Sequence, residues 1–372
     1  MSKHAYSLKA SCDAAAAAAA FSKDPEAQLP LDFPQPHHGG CNGHSPCNGL
    51  GHSHGLGGFR AHPPPTSEPR GRPLILSPPE TYAECARHGE EKARLGWLKL
   101  AMLTVIAGCY VGFGFSICLL IGGNIGMDIL KERPGLFNLV FGAIGFPTGF
   151  TFIVICGGEL FTSLCAYMAA AWWEGRATAG ACIRLWVVSW VGNFVGTAIF
   201  VGLMVASGAF DGKDAYAMIL ATKKTHHGFG ACFVLGVLCN WLVCIATWQA
   251  NAAQDMTGKF IAIWLPISAF VMLGCEHIVA DMYLLPLSIA LGHPSLTAFD
   301  VAIGTLLPTT LGNWFGGAVC VATVYAFAYG TPNKTVTEWA ARKARRDGAD
   351  GGVSKGGAGF KADGFANPQL RV

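Results

Sequence analysis

Inside otherwise apolar stretches of this sequence stand Glu159, Asn240, Glu276, His277 and Asp281, whose side chains ionise or hydrogen-bond. Such groups are costly in an apolar medium, so they persist where they hold a structure together or handle a polar solute. Glu276, His277 and Asp281 crowd one segment. These types suit a ligand set for a cation, an acid and base, or, at the histidine, proton exchange near neutral pH. An intramembrane enzyme or metal carrier built on Glu159, Glu276, His277 and Asp281 is a rival reading, against which the two-histidine zinc-protease pattern is missing from the chain. Just ahead of Gly228, the run Lys223, Lys224, His226 and His227 forms a basic patch suited to gathering anions at a vestibule.

The elements that must position these residues are membrane spans. The chain is 52% hydrophobic and only 13% charged, well below the charged share of ordinary soluble domains. Leu100 to Met127, Pro134 to Gly158, Leu185 to Phe210, Gly228 to Gln254 and Val301 to Asn333 contain no Asp, Glu, Lys or Arg. Each exceeds the roughly 20 residues that cross a bilayer core. Phe260 to Phe299, interrupted by Glu276, His277, Asp281 and His293, completes a count of six transmembrane helices in an all-α membrane protein. The fourteen cysteines lie mostly inside these runs and behave as small apolar residues.

The second and fifth spans both place a carboxylate after small residues, in Gly157-Gly158-Glu159-Leu160 and Gly274-Cys275-Glu276-His277. The third and sixth carry a shared GNxxG element, Gly192 to Gly196 and Gly312 to Gly316, at 33 residues beyond Glu159 and 36 beyond Glu276. Three spans per unit force the second copy to enter the membrane the other way round, giving an inverted repeat. Glycine-interrupted spans at matching positions predict broken helices two and five meeting near the midplane. Glu159 and Glu276 are expected to hydrogen-bond the N–H groups freed at the breaks, with Asp281 grouped among these structural residues. The GNxxG elements are expected to pack spans three and six together.

Residues 1–76, rich in Ala, Gly, Pro and His, predict a disordered extension. Within it His37, His38, Cys41, His44, Cys47, His52 and His54 read as a flexible tail before they read as a metal site. The acid-free opening with Lys3 and Lys9 suits a transit peptide, although arginine is missing before Arg60. Ser77, the prolines after it and Glu80 spell a helix start, for an amphipathic surface helix over 77–98 leading into a six-span domain over 99–330. The basic residues 331–372 are expected to be mostly disordered. Lys92, Arg94, Lys99, Arg176, Arg184 and Lys259 place both termini on the cytoplasmic or equivalent side.

At Gly158-Glu159-Leu160-Phe161-Thr162-Ser163, at Leu238-Cys239-Asn240-Trp241-Leu242-Val243-Cys244 and at Cys275-Glu276-His277-Ile278-Val279-Ala280-Asp281-Met282 the sequence resembles the formate/nitrite transporter family, and most of all its algal nitrite and bicarbonate members. The resemblance covers about Ser77 to Tyr329. It implies an aquaporin-like fold without Asn-Pro-Ala motifs, assembled as a homopentamer in membrane lipid with one pore per subunit. By position, Leu160, Phe161 and Thr162 fall on the break that gates one end of the pore, and Phe146 and Phe270 on aromatic constrictions. His277 is implied as the central pore histidine, Asn240 as its neighbour and Lys224 as the vestibule lysine. Asp281 stands where bacterial relatives often have asparagine, and Ser163-Leu164 replaces a frequent Gly-Asn.

The implied function is passage of a small monovalent anion, nitrite or bicarbonate with formate next. No enzymatic activity, cofactor, metal or nucleic-acid partner is expected. A neutral-solute pore for water, glycerol or ammonia is the alternative, disfavoured by the basic vestibule. The chloroplast envelope is the expected membrane, with the plasma membrane as alternative.

Overall fold

A computed structural model describes residues 73–350. The His- and Cys-rich stretch from His37 to His54, the transit-like opening and the last residues of the basic tail lie outside them. In chain order the helices are α1 (Pro78–Ala93), α2 (Trp97–Ile121), α3 (Met127–Glu132), α4 (Pro134–Ala143), α5 (Gly145–Cys156), α6 (Phe161–Trp173) and α7 (Ala179–Ala206). Then follow α8 (Ala215–Thr225), α9 (Phe229–Ala252), α10 (Met256–Met272), α11 (Ile278–Ala290), α12 (Leu307–Phe315), α13 (Val324–Tyr329) and α14 (Thr331–Asp350). π-helical turns at Asp300–Leu306 and Gly316–Thr323 splice α12 and α13 into one long last helix.

Among the described residues five helices are long and apolar enough to cross a membrane: Trp97–Asn124, Pro134–Cys156, Ala179–Ala206, Phe229–Ala252 and Val301–Tyr329. The stretch expected to supply a further span is divided between α10 and α11, of 17 and 13 residues. The only β feature among the described residues is an isolated bridge from Ile75 to Ala253.

Local chemistry sets the helix starts. The Glu80 carboxylate accepts from the Ser77 backbone N–H at 2.9 Å and from its hydroxyl at 2.6 Å, closing the first turn of α1. Thr178 caps α7 by accepting from Ala181 N, and Asp255 caps α10 by accepting from Gly258 N. The helix expected over 77–98 ends at Ala93. Its Tyr82, Cys85, Ala86 and Gly89 are buried, and Gly89 lies so close to α6 that a Cβ would stand 2.2 Å from Tyr167 O. It is docked along one face rather than lying free on a surface.

The GNxxG elements pack differently from the sequence expectation. A Cβ on Gly196 would stand 2.0 Å from Val105 O, and one on Gly312 would stand 2.2 Å from Phe233 O. Each element therefore seats its helix on the first span of its own half, α7 on α2 and α12 on α9. Small residues earn this role because two backbones approach only where no side chain intervenes. The third and last spans do meet, through Trp186 and Trp314 edge to face at 5.7 Å and Trp190 Nε1 donating to Thr310 Oγ1 at 3.1 Å. Gly196→Leu is accordingly expected to cost about 1–3 kcal/mol or more by overpacking against immovable backbone, while Gly202→Ala, with nothing within 4 Å of its Cβ, costs little. Thermal unfolding of the two variants in detergent checks this; equal midpoints refute the backbone contact.

Where a mostly disordered tail is expected after 330, α14 runs to Asp350. Its first turn is capped from a distance: Glu174 accepts from Thr331 N at 2.9 Å, from Thr331 Oγ1 at 2.6 Å and from Tyr82 OH at 3.0 Å. Burial, then the neighbouring Glu174 carboxylate, push the Tyr82 hydroxyl well above its usual range, so it remains a donor.

Candidate functional site

The two breaks are built alike. In the first, Gly157 takes φ +85° and Gly158 N donates to Ile153 O; in the second, Gly274 takes φ +69° and Cys275 N donates to Phe270 O. A positive φ reverses the chain there at little cost only for glycine. Glu159 N then donates to Leu103 O at 3.0 Å, and Glu276 N to Leu235 O at 3.4 Å. The next residue, Leu160 or His277, is extended and serves as N-cap of the following half-helix.

The groups freed at each break are held by an asparagine. Asn193 Oδ1 accepts from Phe161 N at 2.8 Å, while its Nδ2 donates to Thr104 O and Glu159 O at 2.8 and 3.0 Å. Asn313 repeats the set, accepting from Ile278 N at 2.9 Å and donating to Gly236 O and Glu276 O at 2.8 and 2.9 Å. This corrects the expectation that Glu159 and Glu276 satisfy the breaks. A carboxylate only accepts, whereas an amide serves an N–H on one side and carbonyls on the other.

The carboxylates instead hold lysines. Lys92 Nζ reaches Glu159 Oε1 and Oε2 at 2.7 and 2.9 Å. Lys224 Nζ makes a short contact with Glu276 Oε2 and stands 3.0 Å from Asp281 Oδ1. Each lysine ends the helix that precedes the first span of its half, so the repeat begins at α1 and α8 rather than at the spans. Lys92, read from sequence as a topology charge, was the residue missed; its visible signal is its placement five residues before Trp97, as Lys224 stands before Phe229. Lys224, expected at an open vestibule, is 7% exposed, because two carboxylates draw it inward. Asp281 lies in the first turn of α11 and joins this ion cluster.

His277 occupies in the second half the place that Leu160 has in the first. Its Nδ1 accepts from Ala280 N at 3.1 Å, so the proton of the neutral ring belongs on Nε2, which faces Thr162 Oγ1 at 3.2 Å. Phe146 and Phe270 wall the ring at centroid distances of 6.1 and 5.7 Å and meet each other edge to face at 5.3 Å. Leu160, Phe161 and Thr162 are all buried, but Phe161, expected at the constriction, lines an apolar groove between α7 and the last span. Asn240 does not join this group. Its Nδ2 donates to Thr162 O at 3.1 Å and Asn313 O at 2.5 Å, bracing α6 against the last span.

Two cavities with no lining residue in common approach the breaks. One, of about 50 Å³, is lined by Phe146, Lys224, Phe270, Glu276 and His277. The other, of about 380 Å³, is lined by His88, Lys92, Glu159, Ser163, Tyr167 and Lys259. Burial, then Arg87, hold His88 below the usual histidine range, leaving Lys92 and Lys259 to supply positive charge there. This larger groove, of about 520 Å³, is walled by apolar side chains such as Phe161, Trp190 and Leu311.

The arrangement offers an ammonium at each of two cavities and, near one of them, an aromatic collar holding a hydrogen-bond donor. Among the described residues no group of three or more His, Cys, Asp or Glu could hold a metal. The family model described as "Formate/nitrite transporter" matches residues 79–327. A "Probable formate transporter" of Methanothermobacter thermautotrophicus is 40% identical over 68% of this chain and 97% of its own length. A "Formate channel BtFdhC" of Bacillus thuringiensis is 34% identical over 69% and 97%. Among solved structures, an "FNT family ion channel" superposes with a TM-score of 0.61 at 31% identity, over 67% of this chain and 98% of the other. A "Pentameric formate channel with formate bound" gives 0.54 at 29%, over 62% and 97%.

Proposed function

Because the chain belongs to the formate/nitrite transporter family, we propose that it carries a small monovalent anion, nitrite or bicarbonate with formate as third candidate, through a path in each subunit of a homopentamer. The observation that carries this reading is the Thr162–His277 contact inside the Phe146 and Phe270 collar, with a lysine-bearing cavity beside each break. The relative with pentameric assembly and bound formate supports both the oligomer and the substrate class. The transit-like opening and the algal resemblance support the chloroplast envelope as the membrane.

An anion among phenylalanines loses hydration that apolar side chains do not replace, at several kcal/mol. Lys92 and Lys224 offset part of this by attraction before the collar is reached. Within it the Nε2–H of His277 and the hydroxyl of Thr162 are the donors at hand. A weak-acid anion that takes a proton from His277 in its imidazolium form, which returns to the neutral ring and is reloaded from water, crosses the remaining apolar stretch as a neutral molecule.

Influx of nitrite, formate and bicarbonate into proteoliposomes tests the function, and equal passage of glycerol would refute anion transport. His277→Asn keeps a donor but removes titration. It is expected to slow formate influx about tenfold or more, because an amide hands no proton to the passing anion, and to flatten the dependence of influx on pH. Superimposable pH profiles for the two proteins would exclude His277 from the proton step.

A further inference from the structure

We propose that Glu276 and Asp281 share one proton beside Lys224, so that the smaller cavity carries a charge that titrates and thereby controls anion access. The first half of the molecule provides the contrast. There Lys92 meets Glu159 alone, and the position equivalent to Asp281 is Leu164, so one positive charge faces one negative charge. In the second half the single ammonium of Lys224 faces two carboxylates, both fully buried. With all three ionised the cluster holds an uncompensated negative charge where burial makes that most expensive.

Hydrogen bonding points the same way. Glu276 Oε1 and both oxygens of Asp281 are buried and accept no hydrogen bond; the 3.0 Å contact from Lys224 to Asp281 Oδ1 falls outside hydrogen-bonding geometry. Both carboxyl groups lie against the one Lys224 Nζ, which sets them side by side. A proton on Asp281 turns an orphaned acceptor into a donor for the orphaned Glu276 oxygen, and leaves Glu276 ionised against Lys224. No bond other than O–H forms or breaks, and the proton comes from water.

Several other ionisable groups face the pair. His227 Nε2 stands 3.8 Å from Glu276 Oε1, Lys223 and Cys275 line the same cavity, and Cys232 and Cys239 of α9 lie close by. Tyr216 of α8 stands near Lys224 and Tyr283 follows on α11. Thiols, phenols and lysines ordinarily titrate above about pH 8, which leaves His227 and His277 as the groups to be separated from the dyad.

Loss of the shared proton turns a neutral cluster into one with net negative charge, and anions are then repelled where they were admitted. The proton stands independently of the transport reading; its effect on anion access rests on that reading. Infrared spectra of the wild-type oligomer in liposomes are expected to show a protonated carboxyl C=O band, sensitive to deuterium exchange, that disappears as pH rises. The band should be missing from Asp281→Asn and retained in His227→Asn. In parallel, formate influx at the alkaline end should be about tenfold faster in Asp281→Asn than in wild type.

A wild-type spectrum without such a band overturns the proposal, as does a band that survives in Asp281→Asn. Loss of the band on adding sodium at constant pH also overturns it, by putting a metal cation in the proton's place. Should Asp281→Asn not assemble, the wild-type spectrum decides alone. A normal band with no anion influx at any pH would refute the proposed transport and leave the shared proton in place.

Discussion

Replacing Asn193 or Asn313 with leucine is expected to remove nearly all assembled protein from the membrane. Each asparagine serves one N–H and one carbonyl at its break and ties them to a carbonyl on the first span of its half. Lipid supplies no partner for those groups, and non-helical backbone at this depth survives only when satisfied within the protein. At the low average measured for bonds inside membranes three of them are worth about 2 kcal/mol, and at the usual cost of orphaned buried groups about 5 kcal/mol or more. Either figure is a large part of a typical folding free energy. Aspartate at either position keeps the acceptor and loses both donors, so Asn193→Asp should fare little better than leucine. The measurement is the oligomeric fraction on size exclusion after detergent extraction. Wild-type recovery of Asn193→Leu would show that the break holds itself.

Lys224→Met is expected to be the second most damaging change, at about 3–5 kcal/mol, since it leaves Glu276 and Asp281 buried beside each other without a cation. Lys92→Met should cost less: the Lys92 side chain is 20% exposed against 9% for Lys224, and it faces one carboxylate. The damage should be reversed in the triple variant Lys224→Met, Glu276→Gln, Asp281→Asn, which removes the charges together, because a buried ion cluster replaced as a unit costs far less than one broken. Denaturation midpoints for the single and triple variants test both halves. A stable Lys224→Met protein would restore the open-vestibule lysine expected from sequence.

The contrast between those two lysines marks where the sequence stops being legible. The breaks were readable because glycines and carboxylates inside apolar runs have few other reasons to exist, and the shared GNxxG elements exposed the repeat. Which polar group meets which backbone atom was not, since Glu159 and Asn193 are both suited to a break and only the close approach of α7 to α2 decides between them. Asn240 was singled out as polar at depth, yet its amide hydrogens go to backbone carbonyls. Lys92 was hidden for the opposite reason: a basic residue ahead of a first span is ordinary, and its reach to Glu159 depends on α1 folding back along α6. The helix of the tail was obscured by composition, because its N-terminal cap, Glu174, lies 157 residues away.

The separation of each break from its partners along the chain also fixes an order of events at the ribosome. Lys92 is synthesised 67 residues before Glu159, and Lys224 52 residues before Glu276. The asparagines come afterwards, Asn193 32 residues behind Phe161 and Asn313 35 behind Ile278. Each interrupted helix thus emerges with its counter-charge already made and its amide clamp still untranslated. In that interval the bare N–H groups are tolerable only in water or against the insertion machinery. Commitment of either half to the bilayer therefore waits for its third helix, and the nascent chain passes through that wait twice.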